Sequence, residues 1–234
     1  MACDIQLLIQ ASLYFAIFVL NFIVAIPIGV NVIELNDQCM LYTDITWVNV
    51  TFFRCQLSDG STCHFPVYVA VVSIFYSLLM GIYNMYVVCR SKDPHIGYQM
   101  WVLPSIVLTS LITILMLVIS CILSVGIKST CDQFLKMQDK NPFIHSCSDI
   151  EGFKGREGLP VDFFRHIYSY PKTSEVASWI TFLVWTTQAC LFLFRLYRNR
   201  RAISKSRTAE PLPPDATQKS SDLSNFASVQ PAAL

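Results

Sequence analysis

Charge is what this chain has least of. Only 14% of its 234 residues are Asp, Glu, Lys or Arg. Four stretches, about Ile5–Ile28, Pro66–Cys89, Leu103–Gly126 and Val176–Leu196, contain no Lys, Arg, Asp, Glu or His except Arg195 in the last turn of the fourth. Inside a bilayer such a composition offers no charged group for a proton relay or an ion site. The chain also lacks room for a soluble catalytic domain. Between and after the apolar runs lie loops of 37 (29–65), 13 (90–102) and 49 (127–175) residues and a tail of 38 (197–234), and segments below ~40 residues need disulfides or metals to fold alone. No loop holds a catalytic pair at a useful spacing; His145, Ser146 and His166 read as ordinary loop polar residues. The chain is therefore not expected to be an enzyme. The first run has no basic leader or small-x-small cleavage site and, at about 24 residues, exceeds the ~7–15 of a signal-peptide core, so it reads as a retained span. No internal repeat stands out beyond the recurrence of apolar runs.

What the sequence has is apolar length. Hydrophobic residues make up 53% and the mean hydropathy is +0.47, a composition of lipid-embedded chains. Each run is long enough for a hydrocarbon core of ~30 Å. The expected fold is an all-α four-span membrane bundle: one membrane domain over 1–200 and a disordered cytoplasmic tail over 201–234, rich in Pro, Ser, Ala and Gln. Pro27 and Pro104 fall at the ends of runs and read as boundaries. Trp101 and Trp179 sit where interface aromatics anchor.

Four spans place both termini on one side. Lys and Arg counts on the two sides are nearly balanced, so density decides: Arg195, Arg198, Arg200, Arg201, Lys205 and Arg207 cluster behind the fourth run, whereas loop 127–175 spreads seven basic residues among seven acids. Basic clusters mark the cytoplasmic side, and this one suits a stop-transfer anchor facing anionic lipid. Ser204 and Ser206 lie within it, where phosphorylation would add about −1.5 to −2 charges each. The one Asn-x-Ser/Thr sequon, Asn49-Val50-Thr51, falls in the first loop, and that acceptor is a feature of secreted-side loops. Five of nine cysteines lie in the first and third loops, consistent with an oxidising compartment. The expected location is the plasma membrane or a secretory-pathway membrane, with N and C termini cytoplasmic.

Cys131 and Cys147 are the only cysteines of the third loop, and their bridge would be worth ~3 kcal/mol in the chain-entropy model. A zinc site with His145 lacks a fourth ligand; no metal and no cofactor are expected. In the first loop Cys39, Cys55 and Cys63 leave connectivity open between Cys39–Cys63 and Cys55–Cys63. Residues 39–54 are rich in Thr, Val, Tyr, Phe and Trp and read as two short strands, with a turn at Ser58–Ser61 that returns the chain to Cys63. Cys39–Cys63 would span that small sheet edge to edge.

Several of these residues carry a resemblance. Cys39-Met-Leu-Tyr-Thr-Asp44 followed by Trp47 and Asn49-Val-Thr51, then Cys63-His-Phe65, Ser120-Cys-Ile-Leu-Ser-Val-Gly126, Cys131-Asp132, His145-Ser-Cys147 and Ala177-Ser-Trp179 resemble the transmembrane protein 179 family of claudin-like four-span proteins, over about residues 1–200. The resemblance implies a claudin-like fold with a small extracellular β-sheet, disulfides Cys39–Cys63 and Cys131–Cys147, and Cys55 as an addition. The chain lacks the Gly-Leu-Trp and spaced cysteine pair of true claudins, Trp47 standing eight residues before Cys55, and the resemblance implies no biochemical activity.

Within the spans, Ser73, Ser77 and Gly81, and likewise Ser120 and Ser124, recur every four residues, a pattern of close helix packing. Asn21, Asn84 and Gln188 should face protein, because an unpartnered amide in hydrocarbon costs several kcal/mol. Cys89, beside Arg90, suits reversible palmitoylation, and Cys3 shares the feature. Pro211-Leu-Pro-Pro214 and the terminal Ala232-Ala-Leu234 resemble ligands of SH3 and PDZ adaptors. The expected function is that of a glycosylated, non-enzymatic interaction or auxiliary protein. Its partners are the bilayer, other membrane proteins and a cytoplasmic adaptor at the tail, with no nucleic acid. The alternative is a self-associating pore or carrier whose acidic first loop (Glu34, Asp37, Asp44, Asp59 against Arg54) gathers cations.

Overall fold

A computed structural model describes residues 5–49, 52–90, 102–136, 146–152 and 168–209. In chain order the elements are α1 (Ile5–Glu34), β1 (Gln38–Asn49), β2 (Phe52–Asp59), α2 (Ser61–Arg90), α3 (Val102–Leu135), a 3₁₀ turn (Cys147–Gly152) and α4 (Ser169–Ala209). All four helices are long and apolar enough to cross a membrane. The chain is an integral multi-pass membrane protein.

Each helix outruns the apolar stretch that marks it in the sequence. Thirty residues of α1 span about 45 Å, some 15 Å more than a hydrocarbon core. Pro27 thus lies inside α1, not at its boundary. α1 goes on for seven residues beyond it, and those turns pack at the helix end that carries the hairpin. At the other extreme, residues 201–209, expected to be disordered, continue α4. Arg, Ala, Ile and Lys are adequate helix formers, and extending an existing helix needs no new nucleus. Residues 210–234, with both adaptor-like motifs, lie outside the described residues, as do Cys3 and Trp101.

A seven-residue rhythm orders the interior, unremarked in the sequence reading. Buried positions fall at Tyr14, Ile17, Asn21, Val24 and Ile28 of α1; Ala70, Ser73, Ser77, Gly81 and Asn84 of α2; Ile112, Met116, Ile119, Leu123 and Gly126 of α3; and Ser174, Ala177, Thr181, Trp185, Gln188 and Phe192 of α4. Steps of three and four place these residues on one seam of each helix, the pattern of left-handed bundle packing. The opposite faces carry exposed large apolar side chains such as Leu79, Ile114 and Leu183. In water these would form an unsustainable patch; in lipid they are the required surface.

Polar groups stitch the seams. Asn21 donates from Nδ2 to Ser73 Oγ at 3.0 Å and to the Ile17 carbonyl at 2.8 Å. Trp185 Nε1 donates to the same Ser73 Oγ at 3.2 Å, and Gln188 Nε2 to the Gln10 carbonyl at 3.0 Å. Ser174 Oγ reaches the Val24 carbonyl at 3.1 Å, and Asn84 turns back to Met80 of its own helix. Around these bonds the rings of Tyr14, Tyr76 and Trp185 meet at centroid distances of 5.9–6.4 Å. A Cβ on Gly81 would stand 3.4 Å from that of Tyr14, so α1 and α2 lie within van der Waals reach at this position.

The hairpin differs from its expected form. β1 is one twelve-residue strand and β2 an eight-residue partner, antiparallel, with Asn49 opposite Phe52. β1 ends at Asn49 and β2 begins at Phe52, so residues 39–54 hold most of a long strand and the start of its partner, not two short strands. Gly60 leads directly into α2, whose first turn contains Cys63. The Gly60 carbonyl accepts from the amides of Cys63 and His64, both at 3.0 Å, which starts a helix where the sequence suggested a simple reversal.

Candidate interaction surface

The hairpin is fastened to the helices at three levels. At its base α1 ends in a left-handed turn: Asn36 and Asp37 have φ of 51° and 69°, and the Asp37 amide closes on the Val32 carbonyl at 3.0 Å. Asn and Asp tolerate this conformation better than other residues with a Cβ. Beside it runs Gly60, where a Cβ would lie 2.2 Å from the Asp37 carbonyl oxygen. Only glycine fits without moving backbone. Gly60→Ala is expected to cost about 2–3 kcal/mol, seen as an apparent melting temperature in mild detergent lowered by ~5–10 °C. A Gly29→Ala control inside α1, with nothing within 4 Å of the added carbon, is expected not to lower it, since alanine favours a helix interior over glycine.

Also at the base, Cys39 and Cys63 form a disulfide with Cα atoms 5.6 Å apart. It joins the start of β1 to the first turn of α2, and so does not cross the sheet edge to edge. His64 Nε2 meets Asp37 Oδ1 at 2.7 Å, and its ring stacks on Tyr68.

The second level is a broad bulge. Between the pairs Cys39↔Ser58 and Asp44↔Gln56, the residues Met40–Thr43 stand opposite Leu57 alone, with Tyr42 at φ 60°. Bulges bend a strand and break its ladder, and here α3 bonds β1 within the bulge and just beyond it. Thr130 Oγ1 accepts from the Thr43 amide at 3.3 Å, and Gln133 Oε1 accepts from the Ile45 amide at 2.7 Å. Tyr42 Oη reaches the Ile122 carbonyl at 3.4 Å. The approach is close enough that a Cβ on Gly126 would come within 2.9 Å of Leu41 side-chain carbons. Gly126, Thr130 and Phe134, four residues apart, keep the extension of α3 buried against β1. That extension explains why α3 does not stop at Gly126.

The third level is the Cys131–Cys147 disulfide, Cα atoms 5.5 Å apart, which ties the α3 extension to the 3₁₀ turn. Glu151 of that turn caps α4: its Oε1 accepts from the amides of Tyr168 at 3.1 Å and Ser169 at 2.7 Å and from Ser169 Oγ at 2.7 Å. An anionic cap at a helix N-terminus is favourable for both hydrogen bonding and the helix dipole. Nearby, Ser124 Oγ donates to Glu175 and accepts from Trp179 Nε1 at 3.0 Å, while Lys172 Nζ pairs with Glu175 at 2.7 Å.

The remaining candidate residues are not brought together. Asn49 ends β1, and its side chain lies outside the described residues. Cys55 is an unpaired thiol on β2 opposite Ile45; burial pushes its pKa up to about 11, which keeps it protonated and a poor nucleophile. Cys89 is exposed near the end of α2. Arg195 is half-buried and Arg198, Arg200 and Arg201 are exposed on α4, while Lys205 and Arg207 continue the helix with side chains outside the described set. Among the described residues no three metal-ligating side chains converge. Sequence reasoning missed Gln133, Glu151 and the role of Thr130, since their importance depends on which strand or helix end they meet. Only the four-residue spacing of Gly126, Thr130 and Phe134 could have hinted at it.

Four apolar helices, a stapled hairpin between the first and second, and a second disulfide between the third and fourth define a claudin-like tetraspan membrane protein. A family model described as the transmembrane protein 179/179B claudin domain matches residues 6–214. The chain belongs to that family. It is similar to Transmembrane protein 179B of Homo sapiens, with 22% identity over 178 residues, covering 76% of this chain and 77% of that protein. No solved structure matches the chain.

Proposed function

We propose that this protein is a non-enzymatic interaction or auxiliary subunit that presents its stapled hairpin end to partners and binds other membrane proteins along its lipid-facing helices. The observation that carries this reading is the fastening of β1: the Cys39–Cys63 disulfide and three α3 groups hold a two-stranded sheet that would be marginal alone. Such preorganisation lowers the entropy cost of a protein contact. The packed rings of Tyr14, Tyr76 and Trp185 across the bundle interior speak for contact rather than passage through a monomer. Affinity capture from mild detergent is expected to recover a defined membrane-protein partner whose retention falls when Cys39 and Cys63 are replaced together; recovery independent of the hairpin would overturn the reading.

In this reading the hairpin end is lumenal or extracellular, both termini are cytoplasmic, Asn49 carries glycan and the basic stretch Arg195–Arg207 meets anionic lipid or an adaptor. The protein resides in the plasma membrane or the secretory pathway. Asn49→Gln is expected to abolish a glycosidase-sensitive mobility shift of the tail-tagged protein and leave its melting temperature unchanged. A parent protein without that shift would reverse the assignment of sides or remove the glycan from it.

A further inference from the structure

A groove of about 640 Å³ opens between α1 and α4 beneath the 3₁₀ turn. Its two ends differ in chemistry. At the hairpin end it is lined by Glu151, Ser169 and Lys172; deeper it is lined by Ile23, Ala177 and Ile180. From Lys172 to Ile180 the α4 backbone rises about 12 Å, close to the ~15 Å depth of one leaflet's hydrocarbon. The fourth apolar run begins at Val176, so the polar end lies at headgroup level and Ile180, about 6 Å deeper than Val176, lies within one leaflet's hydrocarbon.

The charged side chains that line the polar end are Glu151 and Lys172, and Lys172 is also paired with Glu175. Lys172 Nζ uses one of its three donors on Glu175 at 2.7 Å, and its side chain is 46% exposed. Among the described residues, the three capping bonds to Glu151 converge on Oε1 and none reaches Oε2. A cation and an anion flanking Ser169 complement a headgroup that itself carries both signs, with phosphate toward Lys172 and ammonium toward Glu151. A purely anionic headgroup would meet the Glu151 carboxylate, and a sterol hydroxyl would leave both charges unanswered. A second transmembrane helix needs a seam through the full ~30 Å core, whereas this groove is confined to one leaflet. We propose that it is a binding site for one zwitterionic glycerophospholipid, held by its headgroup at Glu151 and Lys172 with an acyl chain along Ile23, Ala177 and Ile180.

Native mass spectrometry of the full-length protein in mild detergent tests this directly. The probes are phosphatidylcholine, phosphatidylglycerol with the same acyl chains, and cholesterol, added at equal concentration. Phosphatidylcholine is expected to be retained severalfold better than either of the others. Combining Ile23→Trp with Val176→Trp, both exposed at the groove, is expected to lower that retention about tenfold, the equivalent of ~1.4 kcal/mol. Leu79→Trp with Ile114→Trp, on exposed faces outside the groove lining, is expected to change nothing. Glu151→Gln keeps a capping oxygen and removes the charge, and is expected to move the preference toward phosphatidylglycerol; it tests the headgroup even if the double tryptophan variant does not fold. Equal retention of the two phospholipids by the parent, preferential retention of cholesterol, co-purification of a helix-bearing partner that only the groove variant loses, or equal losses in groove and control variants would each overturn the proposal.

Discussion

Trp185→Ala is expected to destabilise the bundle by about 3–5 kcal/mol, the range for removing a large aromatic from a packed interior. Trp185 is fully buried, its indole stacks at 5.9 Å on Tyr76 and meets Tyr14 edge-on at 6.0 Å, and its Nε1 shares Ser73 Oγ with Asn21. Alanine leaves a cavity facing three helices and frees Ser73 to serve Asn21 alone. Lipid does not relieve this loss, because helix association in a bilayer rests on packing contacts, not on hydrophobic exclusion from water. Trp185→Phe separates the two contributions. It keeps an aromatic ring and loses the N–H, and interhelical hydrogen bonds in membranes average ~0.6 kcal/mol, so its cost is expected to stay below about half that of alanine. The check is apparent melting temperature in one detergent, with Leu183→Ala as a lipid-facing control (Leu183 is 61% exposed). Equal effects of the alanine and phenylalanine variants would mean that the hydrogen bond, not the packing, holds the seam.

Joint replacement of Cys39 and Cys63 by serine is expected to cost about 3 kcal/mol, the entropy of closing a loop with a sequence separation of 24. The loss should be local. β1 remains tied to α3 through Thr130 and Gln133, while the base of the hairpin loses its link to α2. Hydrogen exchange is expected to rise at Gln38–Leu41 and Ser58–Cys63 and to remain low in Ile112–Leu123. Reducing agent applied to the parent should reproduce that pattern, together with changes at the 3₁₀ turn from opening Cys131–Cys147. Uniform exchange across the bundle in the double variant would show that the disulfide supports the whole fold, not the hairpin base.

The membrane character of the chain was legible because it depends on composition alone: four apolar runs without charge have no other stable setting. The placement of the strong amides was legible for the same kind of reason, since hydrocarbon gives Asn21 or Gln188 no partner and drives each inward wherever the helices meet. Helix length was misjudged for a matching reason. Hydropathy reports where lipid must be, and the turns of α1, α3 and α4 beyond the lipid are polar enough to look like loop. Their helicity comes from contact: Thr130 and Phe134 extend α3 because β1 lies against them, and Glu151 starts α4 by accepting its first amides. Pro27 was misplaced as a boundary through the same error.

The strand pattern of the first loop was visible in its Thr, Val and aromatic content, but register was not. A bulge at Met40–Thr43 arises where α3 bonds β1, and nothing within 39–59 encodes the presence of Thr130 and Gln133. Taken by itself, the sequence determined a four-span membrane chain with its charge in the loops and tail, because transfer of each residue between water and lipid is nearly independent of its neighbours. Only the tertiary structure decided how the hairpin is clamped, which side chains share Ser73, and where a polar rim meets an apolar groove. Those features require residues distant in the chain to satisfy one another's hydrogen bonds, and spacing along one segment does not carry that information.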